Sequence, residues 1–465
     1  MTGFFKRHAF ALVIFSGLLL RLILLPFPGT GDMDHCRILA AKAIRSGLLN
    51  MYSQTDTDVL THLILLSKHI HLRPRITTMT DLGPINQEPD HPPGMMLVLD
   101  ASARFSKLFQ PGPLRNGPLL NACLNLPPVL FSLGIALLIW WFCHAENLPH
   151  PLYAVSAFWL NPALILDSPL LGYHDSQFAF FDLLALILFY RRSYGYSALA
   201  LAISCLSKPE GMFLIPVMAA AAWAEDGFKS TVRYGLRVGL FALIVLIPYI
   251  FVHHILAVFA EVAKLVADPS LSGQELNVWW LAGPLLSWVC GDAPWNLSAI
   301  EPMYTRADFV RWVGFQPGWI ANLAMATFIF LALKMFLQQM KLGNRLAIFW
   351  AGALVIYGYT MLSLFVHENH LDSFFVYAAP LLALNTTILK RVYLALSSIL
   401  GLNLYLFEGF GRNVPAGEQW IRMLPGFDIT IVIALGNVVV FLALLLARRW
   451  WFDLTVHEDS PAHSA

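Results

Sequence analysis

Six short polar clusters interrupt an otherwise apolar chain of 465 residues. They are Gly31-Asp32-Met33-Asp34-His35, Asp90-His91-Pro92-Pro93, Asp167 with Gly172-Tyr173-His174-Asp175, Ser207-Lys208-Pro209-Glu210, Asn277-Val278-Trp279-Trp280 and His367-Glu368-Asn369-His370. Their residue types suit proton and phosphate chemistry. A carboxylate such as Asp32 or Asp34 can accept the proton of a hydroxyl as a general base. Arg21, Lys208, His367 and His370 are the cations that could meet the charge of a phosphate. Each cluster also has a plain structural reading. Asp after a helix serves as a cap, His-Pro-Pro as a rigid extended turn, Lys-Pro-Glu as a helix start, and an aromatic pair as an interfacial anchor. Asp182 and His253–His254 read as structural.

The elements that must position these clusters are set by composition. Hydrophobic residues make up 57% of the chain and charged ones 13%, with a mean hydropathy of +0.62. Soluble domains carry roughly 25% charged residues, so residues 1–450 are expected to form one integral membrane body, with 451–465 as a short cytoplasmic tail. A net charge of +1 argues against a nucleic-acid partner. The expected fold is an all-α polytopic bundle. Apolar runs begin near residues 8, 117, 151, 174, 195, 209, 238, 314, 346, 371, 391 and 425, which suggests about twelve transmembrane helices. The first run is read as a retained helix, since it lacks a small-residue cleavage site.

Lys and Arg orient this bundle. With the N-terminus in the cytoplasm, the inner connections hold Arg191–Arg192, Lys229 with Arg233 and Arg237, Lys341 with Arg345, and Lys390–Arg391, and the tail begins Arg448–Arg449. That is the positive-inside pattern. Every polar cluster then falls on the non-cytoplasmic side. Two long outer segments follow, 27–116 and 259–313. The first is expected to hold an amphipathic surface helix after Asp34, with Leu39, Ala40, Ala43, Ile44 and Gly47 on one face, and a second from Gly94 to Phe109. The five cysteines form no CxxC pair; a Cys36–Cys290 disulfide stays open.

These clusters resemble the motifs of the GT-C superfamily of glycosyltransferases, in order from about residue 15 to 385. Gly31-Asp32-Met33-Asp34-His35-Cys36-Arg37 is similar to the first-loop acidic motif of the dolichyl-phosphate-glucose glucosyltransferases, in which the first Asp is the base and an Arg follows at the same spacing. Asp90-His91-Pro92-Pro93 resembles their Asp-Tyr-Pro-Pro turn, and Val366-His367-Glu368-Asn369-His370 their Val-His-Glu-Lys/Asn-His motif. Asn161-Pro162 followed by Tyr173-His174-Asp175 is similar to a further motif with several departures. Asn277-Val278-Trp279 looks like a stretch of bacterial mannosyltransferase-like relatives.

The resemblance implies a GT-C helix bundle that transfers a hexose, of the mannose or glucose class, from a polyprenyl-phosphate or dolichyl-phosphate donor. The reaction would invert the anomeric carbon in one displacement. Asp32 and Asp34 are the catalytic candidates; Arg21, Lys208, His367 and His370 would bind the donor phosphate. Arg37, His91, Tyr173, His174, Asp175, Asn277, Trp279 and Glu368 would contact substrate. No cofactor is expected, with a divalent cation left open. The partners would be the lipid donor, a lipid-linked or other extracytoplasmic acceptor, and membrane lipid. A bacterial inner membrane with an external site is the expected location, otherwise the endoplasmic reticulum with a luminal site. A multi-pass transporter or flippase is the alternative of a different class, and a ligase using a lipid-diphosphate donor is the rival among enzymes.

Overall fold

The computed structural model describes residues 3–52, 79–80, 83–84, 89, 91–266, 271–289, 317–411, 423–424 and 427–446. Asp90, Cys290, most of the segment 259–313 and the tail 451–465 lie outside the described residues. The described chain is helical apart from two antiparallel two-residue pairs, Met79–Thr80 with Gly83–Pro84 and Met423–Leu424 with Phe427–Asp428. In chain order the helices are α1 (Gly3–Leu24), α2 (Gly31–Ser46), α3 (Pro93–Phe109), α4 (Pro118–Ala145), α5 (Pro151–Trp159), α6 (Asp175–Tyr190), α7 (Tyr194–Ser207) and α8 (Ile215–Phe251). They continue with α9 (Ile255–Val266), α10 (Val278–Val289), α11 (Pro317–Lys341), α12 (Ala347–Leu362), α13 (Asp372–Leu382), α14 (Thr387–Glu408) and α15 (Thr430–Leu446).

α12 lies at the centre: it is apolar on every side and buried from Ala347 to Met361, as a helix surrounded by others must be. Against it pack Leu186 of α6, Leu214 just before α8, and Phe374 and Tyr377 of α13. The outermost helices instead expose large apolar side chains, including Phe15 and Ile23 of α1, Leu236 and Leu240 of α8, and Leu323 and Phe330 of α11. An apolar exterior of this extent marks a membrane protein.

Every apolar run carries a helix, but the expectation of twelve full spans is not met. Among the described residues, four stretches, Pro118–Ala145, Pro209–Phe251, Gly318–Lys341 and Thr387–Glu408, are long and apolar enough to cross a membrane. Several others, such as α6 and α7, are shorter, because polar residues and prolines end them early. α6 has 16 residues, a rise of about 24 Å, against a hydrocarbon layer of about 30 Å. α8 is itself two helices: Asp226 (φ −152°) and Gly227 (φ +59°) leave the helical region, and the Thr231 hydroxyl bonds back to the Ala219 carbonyl at 3.4 Å. Its arms, 215–225 and 228–251, match the two runs that the sequence separates.

The bundle has two chemically distinct ends. At one, the chain reverses at residues in the left-handed region, Asn147, Arg192, Gly227, Gly343 and Asn385. Arg191 pairs with Glu146 at 3.3 Å, Arg345 pairs with Glu225 and donates to the carbonyls of Phe189 and Tyr190, and Lys390 sits over the Tyr153 ring. This end therefore collects the basic connections. At the other end lie the start of α6, the ends of α7 and α12 and the start of α13, which carry the polar clusters. The common location of those clusters, inferred from Lys and Arg spacing, is thus matched in space.

α2 departs from its expected form. It begins at Gly31, not after Asp34, because Thr30 caps it by accepting from Asp32 N at 3.3 Å. Arg37 and Lys42 are buried along with Leu39, Ala40 and Ala43, so α2 packs among α3 and α4 instead of presenting a basic outer face. α3 keeps the interfacial pattern: Leu97, Phe105 and Leu108 are exposed, while Met96, Leu99 and Ala103 are buried.

Candidate active site

Three breaks in the helices build the site. Leu166–Leu170 forms a π turn, since Pro169 has no N–H to give the regular ladder, and this turn buries Asp167. Lys208 is extended, as a residue before proline should be, and ends α7 so that its side chain crosses to α6. The turn after it packs closely on α7; a Cβ at Gly211 would lie 2.4 Å from the Ser204 hydroxyl. Finally, the turn 367–370 is clamped by the strand-like segment 271–275, with Gly273 N and Glu275 N both donating to the Val366 carbonyl at 3.1 Å.

At the centre, Lys208 forms an ion pair with Asp175 and lies 3.4 Å from Glu210. Burial alone would weaken the Lys208 ammonium, but Asp175 and Glu210 reverse this and hold its pKa well above the usual lysine range. Glu210 also meets His370 Nε2 at 2.9 Å, and His370 Nδ1 bonds the Tyr359 hydroxyl at 3.0 Å. Asn369 donates to the second oxygen of Asp175. Buried carboxylates are tolerated only when paired in this way.

Behind Lys208, carboxylate oxygens of Asp167, Asp175 and Asp372 lie within 4.8 Å of one another, all buried. Burial first, and then the charges of Asp372 and Asp175, push the Asp167 pKa well above its ordinary value. The three have the ligand chemistry for a hard divalent cation. Lys208 and Asn369, however, already occupy both oxygens of Asp175.

In front, Tyr173 donates its hydroxyl to Oε1 of Glu368. Oε2 of Glu368 has no hydrogen-bond partner and stands 3.9 Å from His367 Nδ1. Burial, reinforced by Glu408 and Asp32, raises the Glu368 pKa to about 8, so this group is an acid at neutral pH. His367 is 39% exposed on its side chain, and burial and His370 hold its imidazole below the usual range. Asp32 is exposed at the start of α2, near enough for its charge to act on Tyr173, His367 and Glu368 together.

The structure therefore gathers Asp32, Tyr173, Asp175, Lys208, His367, Glu368 and His370. Other candidates are committed elsewhere. Arg21 is 1% exposed, stacks 3.8 Å from the Trp159 ring and donates to the Trp159 carbonyl at 2.8 Å, away from the cluster. Arg37 spans Asp34, Asn121 and the Pro28 carbonyl, tying α2 to α4 and neutralising Asp34. His174 is buried between the Leu124 carbonyl, at 3.2 Å, and Cys36, at 3.9 Å, and burial lowers its pKa to about 4. Asn277 caps α10 through the amides of Trp279 and Trp280 and donates to the Thr360 carbonyl, while the Trp279 indole donates to Leu362. His91 is partly buried near His174, its carbonyl accepting from the Tyr52 hydroxyl at 2.7 Å.

Asp372 is a member that the sequence motifs pass over. Asp372 lies two positions after His370 at the start of α13, where an acid is ordinarily read as a partner of the helix dipole. Glu275 is a second. It is buried, accepts from Asn403 and Asn437, and has its pKa raised by burial first and Glu368 second. Compared with known proteins, the chain matches no family model and no curated protein.

Proposed function

We propose that the protein is a membrane glycosyltransferase of the GT-C type, transferring a hexose from a polyprenyl-phosphate carrier to an acceptor on the non-cytoplasmic face. The observation that carries this reading is the Tyr173–Glu368 hydrogen bond beside His367, with exposed Asp32 near enough for its charge to act on all three, at the end of the bundle away from the basic connections. A lipid-linked donor needs a polar centre at membrane depth with apolar flanks. Helices that stop short supply that depth, since irregular backbone there is tolerated where protein buries it. Positive-inside orientation puts this end outside the cytoplasm.

In the proposed step, Asp32 takes the proton of the acceptor hydroxyl. The acceptor oxygen bonds to the anomeric carbon as the bond to the phosphate oxygen breaks, inverting that carbon and releasing polyprenyl phosphate. His367, the accessible imidazole, gains a proton as the phosphate's charge approaches. Glu368 in its acid form offers Oε2–H to the departing phosphate or a sugar hydroxyl. Lys208, already paired, fixes Asp175, Glu210 and His370 in place. The mannose or glucose class of sugar follows the motif resemblance.

Purified protein should release polyprenyl phosphate from at least one member of a panel of polyprenyl-phosphate sugars. Asp32→Asn should lower that rate by roughly 10²–10⁴-fold, the usual contribution of a general base. A folded Asp32→Asn protein that turns over at the wild-type rate removes the reading. A transporter is the second reading, favoured by Asp182, which is buried within α6 and accepts from the Tyr377 hydroxyl at 2.5 Å. Solute counterflow in proteoliposomes without sugar release would select it.

A further inference from the structure

At the basic end, the turn between α6 and α7 and the second arm of α8 line an open surface cavity of ≈ 530 Å³ that the polar-end chemistry does not use. Arg192 and Arg237 both line it, and both are exposed. Among the described residues neither guanidinium has an ion pair or hydrogen-bond partner, whereas Arg191 pairs with Glu146 and Arg345 with Glu225. Two unneutralised cations facing one cavity call for an anion.

The remaining walls say what kind. Tyr194 and Tyr196 line it as well, with Tyr196 72% exposed, and partly buried Leu199 and Phe241 supply its apolar wall. Beyond Phe241 the outer face of α8 continues as exposed Leu240, Leu243 and Ile244. A helical side chain tilts toward its own N-terminus, so Arg237 is directed back along α8 toward the Gly227 turn and the membrane edge. The cavity thus offers a cationic, aromatic rim opening onto an apolar track. Free phosphate would satisfy the rim and leave Leu199 and Phe241 uncovered.

We infer that this cavity binds an anionic phospholipid of the surrounding bilayer, its phosphate between Arg192 and Arg237 and an acyl chain along Leu199, Phe241 and the outer face of α8. Basic pockets between membrane helices recognise lipid head groups in this manner. The inference does not depend on the reaction at the opposite end.

The test is native mass spectrometry of the detergent-purified full chain, titrated with dioleoylphosphatidylglycerol or dioleoylphosphatidylcholine. Phosphatidylglycerol adducts should form preferentially. The Arg192→Gln/Arg237→Gln variant should lose affinity for that lipid by roughly thirtyfold, with phosphatidylcholine unaffected. Leu199→Trp, which fills the cavity and keeps both arginines, should show the same loss, and decides the matter if the double variant does not fold. Lys229→Gln/Arg233→Gln, on the same arm but outside the cavity, should bind as wild type. Equal affinity for the two lipids, an equal loss in the Lys229/Arg233 variant, or displacement of the lipid by millimolar inorganic phosphate would each overturn the assignment.

Discussion

The Tyr173 hydroxyl donates to Oε1 of Glu368, 195 residues further along the chain, and so joins the turn before α6 to the turn before α13. Glu368 is 2% exposed and its other oxygen is free of hydrogen bonds. One carboxyl is thus fixed in position, poorly solvated and close to the exposed Asp32 and His367. This is the arrangement that keeps a carboxylic acid protonated where an ordinary one would have ionised.

Glu368 should therefore make stability fall with rising pH. The folded protein holds this proton up to about 8, whereas an unfolded glutamate releases it near 4.5. The folded state binds more protons in that window, so its extra stability is complete below pH 4.5 and is lost as pH rises through about 8, at most about 1.4 kcal/mol per pH unit. Glu368→Gln copies the acid form. Its Tm should equal the wild-type value near pH 5 and exceed it at pH 9. A Tm difference that stays flat over this range would show that Glu368 is ionised throughout.

A second expectation concerns Lys208. Its partner Asp175 is 1% exposed, and Glu210 is also largely enclosed. Lys208→Met strands those carboxylates without a cation, a change that typically costs about 3–5 kcal/mol. Adding Asp175→Asn removes one of the stranded charges and keeps an acceptor of similar shape. Thermal unfolding should place the double variant well above Lys208→Met alone. If the two unfold together, the ion pair contributes nothing and Lys208 is held by packing.

Much of this architecture was legible along the chain, and the illegible part has a common cause. Helix starts at Pro118 and Pro151 could be read because proline favours a first helical position, and the two ends could be read because Lys and Arg avoid one of them. What spacing does not carry is the partner of a polar side chain. Arg21 is used by Trp159, 138 residues away, and Arg37 by Asn121, 84 residues away. Arg21 resembled a phosphate ligand and Arg37 a substrate contact only while those partners were unknown. Asn277 and Trp279 were lost to the site for a local reason, as a helix cap and its first turn. Asp372 was gained by it because the start of α13 lies beside the start of α6. The span count failed for a different reason: apolar windows record composition, and do not show that Asn161-Pro162 or Lys208-Pro209 stops a helix short.

The orientation of the two ends is the premise on which the proposed reaction rests, and it can be tested without any substrate. Gly31 is exposed at the polar end, with open space for a side chain, and Leu342 is 78% exposed at the basic end. The native Cys36, Cys123, Cys143 and Cys205 are buried, and replacing Cys290 with serine takes the remaining thiol out of the measurement. In that background Gly31→Cys should react with an impermeant maleimide added to intact cells or, in the endoplasmic reticulum case, only from the luminal side. Leu342→Cys should react only from the opposite, cytoplasmic side. Labelling of both from one side would contradict the two-ended bundle itself. Labelling from opposite sides in the reverse sense would leave the bundle standing and place Asp32 in the cytoplasm, where a reaction on the non-cytoplasmic face has no base.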